Sequence, residues 1–317
     1  MRITDRRRRA ARWLRGSGIE IGALHNPLVV PAGVAVRYVD RLTVSELRLH
    51  YAELADEALV EVDLIGDAEH LEAIPDGSQD FVIANHLVEH LEDPLRGLAE
   101  MTRVLRPGGI LYIALPDPRL TFDRDRELTT VAHVVSEYRS GPAATREAHY
   151  ADWVDHAEPL VERLGPPDAE KRATHLRELI AGSYSIHFHV WRSETFLEVV
   201  DAARREVGVG LELLEFSTSR PGEDDEFIFV FAKDTGELPP LPPRDPEVVR
   251  LEARLNEQAV VLEQCRAEQR TATFRLAARC QAAVRRAAPP GTARRRATIA
   301  LARLVSPSAG DRSGLDR

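Results

Sequence analysis

Between residues 18 and 117, short apolar runs alternate with polar or amphipathic stretches. "GIEIG" (18–22), "AVRYVD" (35–40), "ALVEVDLIG" (58–66), "DFVIANH" (80–86) and "GGILYIALP" (108–116) are strand candidates. Their near-continuous apolar character suits parallel strands covered on both faces. Between them, "TVSELRLHYAEL" (43–54) and "PLRGLAEMTRVLR" (94–106) have helical periodicity. The second has Asp93 as N-cap, Pro94 in its first position and Pro107-Gly108-Gly109 as its stop. This rhythm predicts an α/β fold, doubly wound around a mostly parallel sheet.

After Asp117 the rhythm breaks for about 70 residues rich in His, Tyr, Arg and Asp. It resumes with an amphipathic helix over 193–206. "LELLEFSTS" (211–219) and "EFIFVFAKD" (226–234), joined by the short polar "RPGEDD", then predict an antiparallel hairpin. The expected domain covers 1–237, with seven strands, the last antiparallel, and a helical insertion at about 118–186 after strand five. "RRRRAARWLR" predicts a leading amphipathic helix that lays Trp13 and Leu14 against the sheet. A Pro-rich linker follows at 238–246 and one long helix at 247–288. That helix carries Val248, Leu251, Leu255, Leu262, Cys265, Ala272 and Leu276 near heptad spacing, interrupted by Gln258, Gln269 and Arg279. The seam could pair protomers or dock a partner protein. Residues 289–317 form a basic tail expected to be disordered.

Composition narrows the function classes. Hydrophobic content of 44% and charged content of 29% fit a globular protein with a real core. A net charge of -9 speaks against a general nucleic-acid binder. Two cysteines, Cys265 and Cys280, are too few for a disulfide framework. No apolar run approaches a membrane span, and the basic start lacks the apolar stretch of a secretory signal, so a cytoplasmic location is expected.

The stretch "NHLVEHLEDP" (85–94) contains H-x-x-E-H, a zinc signature of one peptidase class. There both histidines must share one face of a continuous helix. Here His86 ends a strand and Asp93-Pro94 begins a new helix, which leaves a strand-exit loop with at most one helical turn. Such loops, at the carboxyl edge of a parallel sheet, are where ligands bind.

The text around this loop, "DGSQDFVIANHLVEHLEDPLRGLAEMTRVLRPGGILYIALPD", resembles the second half of class I S-adenosylmethionine-dependent methyltransferases of the type 11 kind. Asp80, Glu89-His90, Asp93-Pro94 and Leu105-Arg106-Pro107-Gly108-Gly109 match in order and spacing, and the resemblance covers about 16–117 and 186–234. It implies a Rossmann-like methyltransferase fold and S-adenosylmethionine as the donor. The first half departs from the family's glycine-rich motif and reads "GIEIGALHNPLVVPAG". Glu20 stands for the motif acid and Gly22 for the first glycine, while Leu24 and Asn26 replace the others. Only about a dozen residues separate strands one and two, so the usual first helix is expected to be shortened or replaced by a loop. The E-I-G-A-x-x-N-P variant resembles a subgroup of bacterial methyltransferases associated with sugar or polysaccharide modification. Carried over, the resemblance places Glu20, Gly22, Ala23 and Asn26 in the cofactor loop. It gives Asp40 the ribose hydroxyls, since a carboxylate has two acceptor oxygens for a cis-diol. Asp67 and Ala68 would line the adenine, with Asn85 and His86 beside the methionine moiety.

The insertion should build the acceptor pocket. Asp117, Asp123, Arg126, Tyr138, Tyr150 and Trp191 are candidate substrate-binding residues, and His133, His149, His187 and His189 are unranked candidate bases. In "HFHVW", His187, His189 and Trp191 alternate and share one face. Polar groups beside aromatic faces suit a hydroxyl-rich ligand; a plainer reading is an amphipathic edge segment with ordinary buried histidines. H-x-H without an assigned carboxylate is weak as a metal motif, and no metal ligands are assigned. The expected function is O-methylation of a sugar, polysaccharide or glycosylated metabolite. The alternative is a non-catalytic scaffold of the same fold acting through its C-terminal helix.

Overall fold

The computed structural model describes residues 3–51, 54, 56–158, 169–219 and 224–234. The expected linker, long helix and basic tail over 238–317 lie outside the described residues.

The chain opens with α1 (Ile3–Ala11). Ala10, Ala11, Trp13 and Leu14 are buried with Phe81, Ile83, Tyr112, Ile228 and Val230 on one face of the sheet, as the leading amphipathic pattern predicts. The strands are β1 (Ser17–Ile21), β2 (Ala35–Asp40), β3 (Leu64–Ile65), β4 (Gln79–Asn85), β5 (Leu105–Pro116), β6 (Leu211–Ser217) and β7 (Glu226–Lys233). They form one sheet in the order β3-β2-β1-β4-β5-β7-β6. β1, β2, β3, β4 and β5 pair in parallel, and β7 runs antiparallel to both β5 and β6.

The opposite face is covered by α3 (Pro94–Val104) and α7 (Ser193–Val207). Leu95, Leu98 and Met101 of α3 and Phe196, Val199 and Ala203 of α7 pack on Val82, Ala84, Leu111, Ile113 and Phe229. Each fully buried Leu or Phe here contributes about 1.5–3 kcal/mol of apolar burial. β4 and β5 are therefore apolar on both faces, which explains their unbroken runs. Asp93 caps α3 by accepting the Arg96 N–H at 3.0 Å.

Three elements differ from expectation. The helix expected over 94–106 ends at Val104, and residues 105–109 join β5, because Leu105 already pairs with Gln79 of β4. The run 58–66 contributes only the two-residue β3. It lies at the sheet edge, where Glu61 is exposed, and it is held by scattered bonds: Val60 N–H to the Leu24 carbonyl at 2.8 Å and Asp63 N–H to the Tyr38 carbonyl at 2.9 Å. The helix expected over 43–54 is α2 (Val44–His50), capped at Thr43 and stopped at Tyr51. Between β1 and β2 the chain forms a loop with no helix, as the short spacing implied.

The insertion is helical. It contains α4 (Val131–Ser140), α5 (Arg146–Asp152) continued by one wider turn (Trp153–Ala157), and α6 (Ala169–Ala181). Tyr150, Trp153, Val154, Leu176, Ile186 and Phe188 give it a small core of its own. Among the described residues no helix is long and apolar enough to cross a membrane.

Candidate functional site

Strand order reverses at β1, whose neighbours are β2 on one side and β4 on the other. A crevice must open there at the carboxyl ends of the strands, because successive connections leave to opposite sides. The structure has a cavity of about 370 Å³ at this place, within the range of small-molecule pockets. One wall is made of strand exits: Gly22 and Leu24 after β1, Asp40 and Arg41 at β2, Gly66, Asp67, Ala68 and Glu69 after β3, and His86, Leu87 and His90 after β4. The other wall is the insertion, which contributes Phe122, Tyr150, Trp153, Ser183, Tyr184, His187 and Phe188.

Backbone strain gathers here. Among the described residues, the non-glycine positions with positive φ are Leu24 (50°), His86 (46°) and Ser183 (46°), and all three border the cavity. Left-handed φ costs a side-chain-bearing residue of order 1–3 kcal/mol, so the surrounding structure holds these turns against a local preference. Gly22 also has positive φ (69°), a conformation that suits glycine.

The charged groups fall into two sets. On the first wall, Asp40 is nearly buried, and its carboxylate takes the backbone N–H groups of Leu42 and Arg41. Burial raises its pKa more than those contacts lower it. Glu20 is fully buried behind this wall and accepts the Leu28 N–H on both oxygens (3.0 and 3.1 Å) and Asn85 Nδ2 at 3.0 Å. Burial dominates and its pKa is pushed up to about 7. Glu226, at the start of β7, is equally buried but meets charge: Arg7 Nη2 at 2.6 Å, Arg7 Nε at 2.9 Å and His86 Nε2 at 2.9 Å. Burial alone would raise its pKa, yet these partners hold it at about 2. His86 shares the benefit: burial opposes its charge, but Glu226 and Glu89 raise its pKa.

On the second wall, His187 Nδ1 lies 2.7 Å from Asp123 Oδ2, and Arg126 Nη1 donates to Asp123 Oδ1 at 2.8 Å and to the His187 carbonyl at 2.8 Å. Burial raises the Asp123 pKa, but His187 and Arg126 outweigh it and the carboxylate stays ionised. Arg126 also reaches Asp152 at 2.7 Å. The guanidinium thus ties the wall together and keeps Asp123 fixed behind His187. His90 lies edge-on to His187 with ring centroids 4.6 Å apart. Burial, then His187 and His86, drive its pKa well below 6.5, which keeps it neutral. Glu89 is buried without a hydrogen-bond partner on either oxygen, and burial raises its pKa.

Of the residues named from sequence, Gly22, Asp40, Asp67, Ala68 and His86 border the cavity, as do Tyr150 and His187. Glu20 and Asn85 bond to each other behind the wall. Ala23 and Asn26 form a turn, the Asn26 N–H bonding the Ala23 carbonyl at 3.0 Å. Asp117, at the end of β5, is bound by Arg119 at 2.6 Å and by Ser219. Tyr138 lies in a separate surface depression with Arg139 and Arg146. His133, His149 and His189 gather around Glu137, with Trp191 stacked on His189 at 5.1 Å. The sequence reading missed Arg41, Phe122, Trp153, Tyr184 and Glu137. Glu137 could have been found as the i+4 partner of His133 on a helix face.

The residues present fit S-adenosylmethionine. Asp40 offers an acid at the end of β2, Asp67 and Ala68 line the neighbouring exit, and Gly22, with positive φ, adds no side chain where the chain leaves β1. Arg41 and His86 are the cavity's cationic groups, on the wall where a helix N-terminus is missing.

Comparison with known proteins agrees. Residues 28–113 match the family model described as "Methyltransferase domain". A probable S-adenosylmethionine-dependent methyltransferase of Mycolicibacterium smegmatis is 33% identical over 90 residues, 28% of this chain and 31% of that protein. A second protein so described, from Mycobacterium tuberculosis, is 33% identical over 114 residues, 35% of this chain and 37% of its own. An uncharacterised 37.1 kDa protein from a Streptomyces fradiae transposon is 37% identical over 111 residues, 34% of this chain and 30% of that protein. The chain thus spans about a third of the length of the curated relatives it matches. Among solved structures, a methyltransferase from Aquifex aeolicus is 13% identical with a TM-score of 0.39, covering 73% of this chain and 90% of that one. Residues 28–113 are therefore similar to a methyltransferase domain, and two of the matching relatives are described as probable S-adenosylmethionine-dependent methyltransferases.

Proposed function

We propose that the chain transfers a methyl group from S-adenosylmethionine to a hydroxyl of a sugar, polysaccharide or glycosylated metabolite. The observation that carries the reading is one cavity with two unlike walls: strand exits bearing Asp40 and Asp67, and an insertion bearing aromatic rings and a carboxylate-backed histidine. On the first wall Asp40 would take the ribose hydroxyls, and Asp67 and Ala68 the adenine. His86, with its raised pKa, and Arg41 would meet the anionic end of the amino acid moiety. The donor supplies an electrophilic methyl group, so the protein's task is alignment and removal of one proton.

His187 is favoured for that proton. Of the four histidines considered as bases, it is the one that borders the cavity. Asp123 accepts from Nδ1, which fixes the neutral ring as the tautomer whose Nε2 lone pair can accept the acceptor's proton. Phe122, Tyr150 and Trp153 would bracket a sugar ring. The subgroup resemblance around Glu20 and Asn26 points the same way.

The test is calorimetric titration of S-adenosylhomocysteine into the wild type and Asp40→Ala, followed by turnover of a panel of glycans and glycosylated metabolites. Binding that collapses in the variant supports the donor site. No binding by well-folded wild type would move the function to a non-catalytic scaffold role.

A further inference from the structure

Away from the cavity, four side chains from three parts of the insertion converge on one point. α4 contributes His133 and Glu137, one turn apart on one face; α5 contributes His149; the extended segment before α7 contributes His189. His133 Nε2 and His149 Nε2 lie 3.0 and 2.8 Å from Glu137 Oε1 and only 3.0 Å from each other. His189 Nε2 lies 3.5 Å from Glu137 Oε2. One donor atom from each residue can be chosen so that all lie within 4.8 Å of one another. Ligands about 2.0–2.1 Å from a tetrahedral ion stand roughly 3.3 Å apart, so this spacing needs little change to close on a cation.

Protein partners alone satisfy the cluster poorly. Glu137 Oε2 is buried without a well-formed hydrogen bond, and the His189 ring, with no exposure, has nothing better than the backbone of Glu92 and the 3.5 Å approach to Glu137. Each such group costs about 1–3 kcal/mol when left unpaired. Other contacts hold the ligands in place: Thr145 Oγ1 donates to Glu137 Oε1 at 2.6 Å, and Trp191 stacks on His189. Such outer partners orient metal ligands. The His133 ring is one-third exposed and leaves a path from solvent.

We propose that His133, Glu137, His149 and His189 bind one divalent first-row transition ion, with zinc the foremost candidate. Three imidazoles and one carboxylate form a borderline donor set. Calcium and magnesium prefer oxygen ligands, and no thiolate is present for a soft ion. Four protein ligands make a closed, structural site. The ion joins α4 and α5 to the segment that carries His187, two residues from the ligand His189. It stiffens the acceptor wall and leaves the strand-exit wall untouched.

The test uses the full chain with any affinity tag removed, stripped with chelator, then titrated with Zn²⁺ and with Co²⁺. One equivalent should bind, cobalt should give the intense visible bands of a tetrahedral site, and the melting temperature should rise. His133→Ala and His149→Ala change partly exposed rings and should weaken uptake beyond the roughly 10–100-fold that loss of an outer partner costs, with circular dichroism unchanged. Glu137→Gln preserves volume and serves if either alanine variant fails to fold. Folded wild type that takes up no ion would overturn the proposal. So would an ion retained equally by the variants, which would place it elsewhere, for example at Glu89, His90 and His187.

Discussion

On the strand-exit wall, Asp40 from β2, Asp67 after β3 and His86 after β4 are each placed by the end of a strand and a short turn, and His86 is anchored besides by Glu226. On the insertion wall the polar groups arrive already connected, with Arg126 bound to Asp123, Asp123 to His187, and Glu137 set among three histidines. The strand end and the backbone N–H groups of Leu42 and Arg41 suffice to hold the Asp40 carboxylate. The insertion has only a small core of its own, and side-chain networks supply the positioning that the sheet supplies elsewhere. Changes on the first wall should therefore act locally on donor affinity. Changes on the second should act on turnover and spread through the network.

The largest expected effect is His187→Ala, which should lower kcat on a true acceptor by about 10²–10⁴-fold while donor affinity holds. Asp123→Asn should fall short of that, because the ring remains and loses only its orienting anion. Equal losses of donor affinity in both variants would erase the proposed division between walls. Asp40→Ala should then weaken S-adenosylhomocysteine binding by about 100-fold, as expected for charge-assisted bonds worth about 1.5–3 kcal/mol each.

A pH comparison sharpens the picture within the first wall. Glu226 has a folded pKa near 2 against an ordinary 4.5, so its contribution to stability is present above about pH 4.5 and is lost as pH falls toward 2. Glu20 is shifted the other way. Its folded pKa of about 7 makes the fold relatively most stable below 4.5, and that advantage is lost as pH rises toward 7. Urea titrations of Glu226→Gln should show a shallower acid limb, and those of Glu20→Gln a flatter profile between pH 4.5 and 7. The smallest effect should come from Gly22→Ala. A new Cβ would lie 3.4 Å from Leu87, but the left-handed φ costs about 1–2 kcal/mol, read as a lower melting temperature and a few-fold weaker donor binding.

Much of the first wall was legible in the sequence because strand ends are marked by pattern. "RYVD" places Asp40 as the last residue of β2, and "DFVIANH" places His86 at the end of β4, one residue beyond the Asn85 at which the strand stops. The loop without a helix after β1 was also readable, from the short spacing to β2. The two-residue β3 was not, because an edge strand with Glu61 and Asp63 keeps the composition of a strand without its ladder. The insertion was legible only as a list. Four histidines stood out, but their separation required tertiary distances: His187 faces the cavity, whereas His133, His149 and His189 surround Glu137, of which the sequence offered only the i+4 spacing to His133.

The ion pair between Arg7 and Glu226 spans 219 residues of chain. At ~5–20 residues per second of synthesis, roughly 10–45 s separate the emergence of its two ends from the ribosome. Throughout that interval the arginine-rich first helix has no anion to meet at β7, and His86 has no anchor there. The cleft is therefore completed by one of the last strands of the domain to be made. A nascent chain halted before β7 would carry the strand-exit loops while lacking the carboxylate that holds His86 in place.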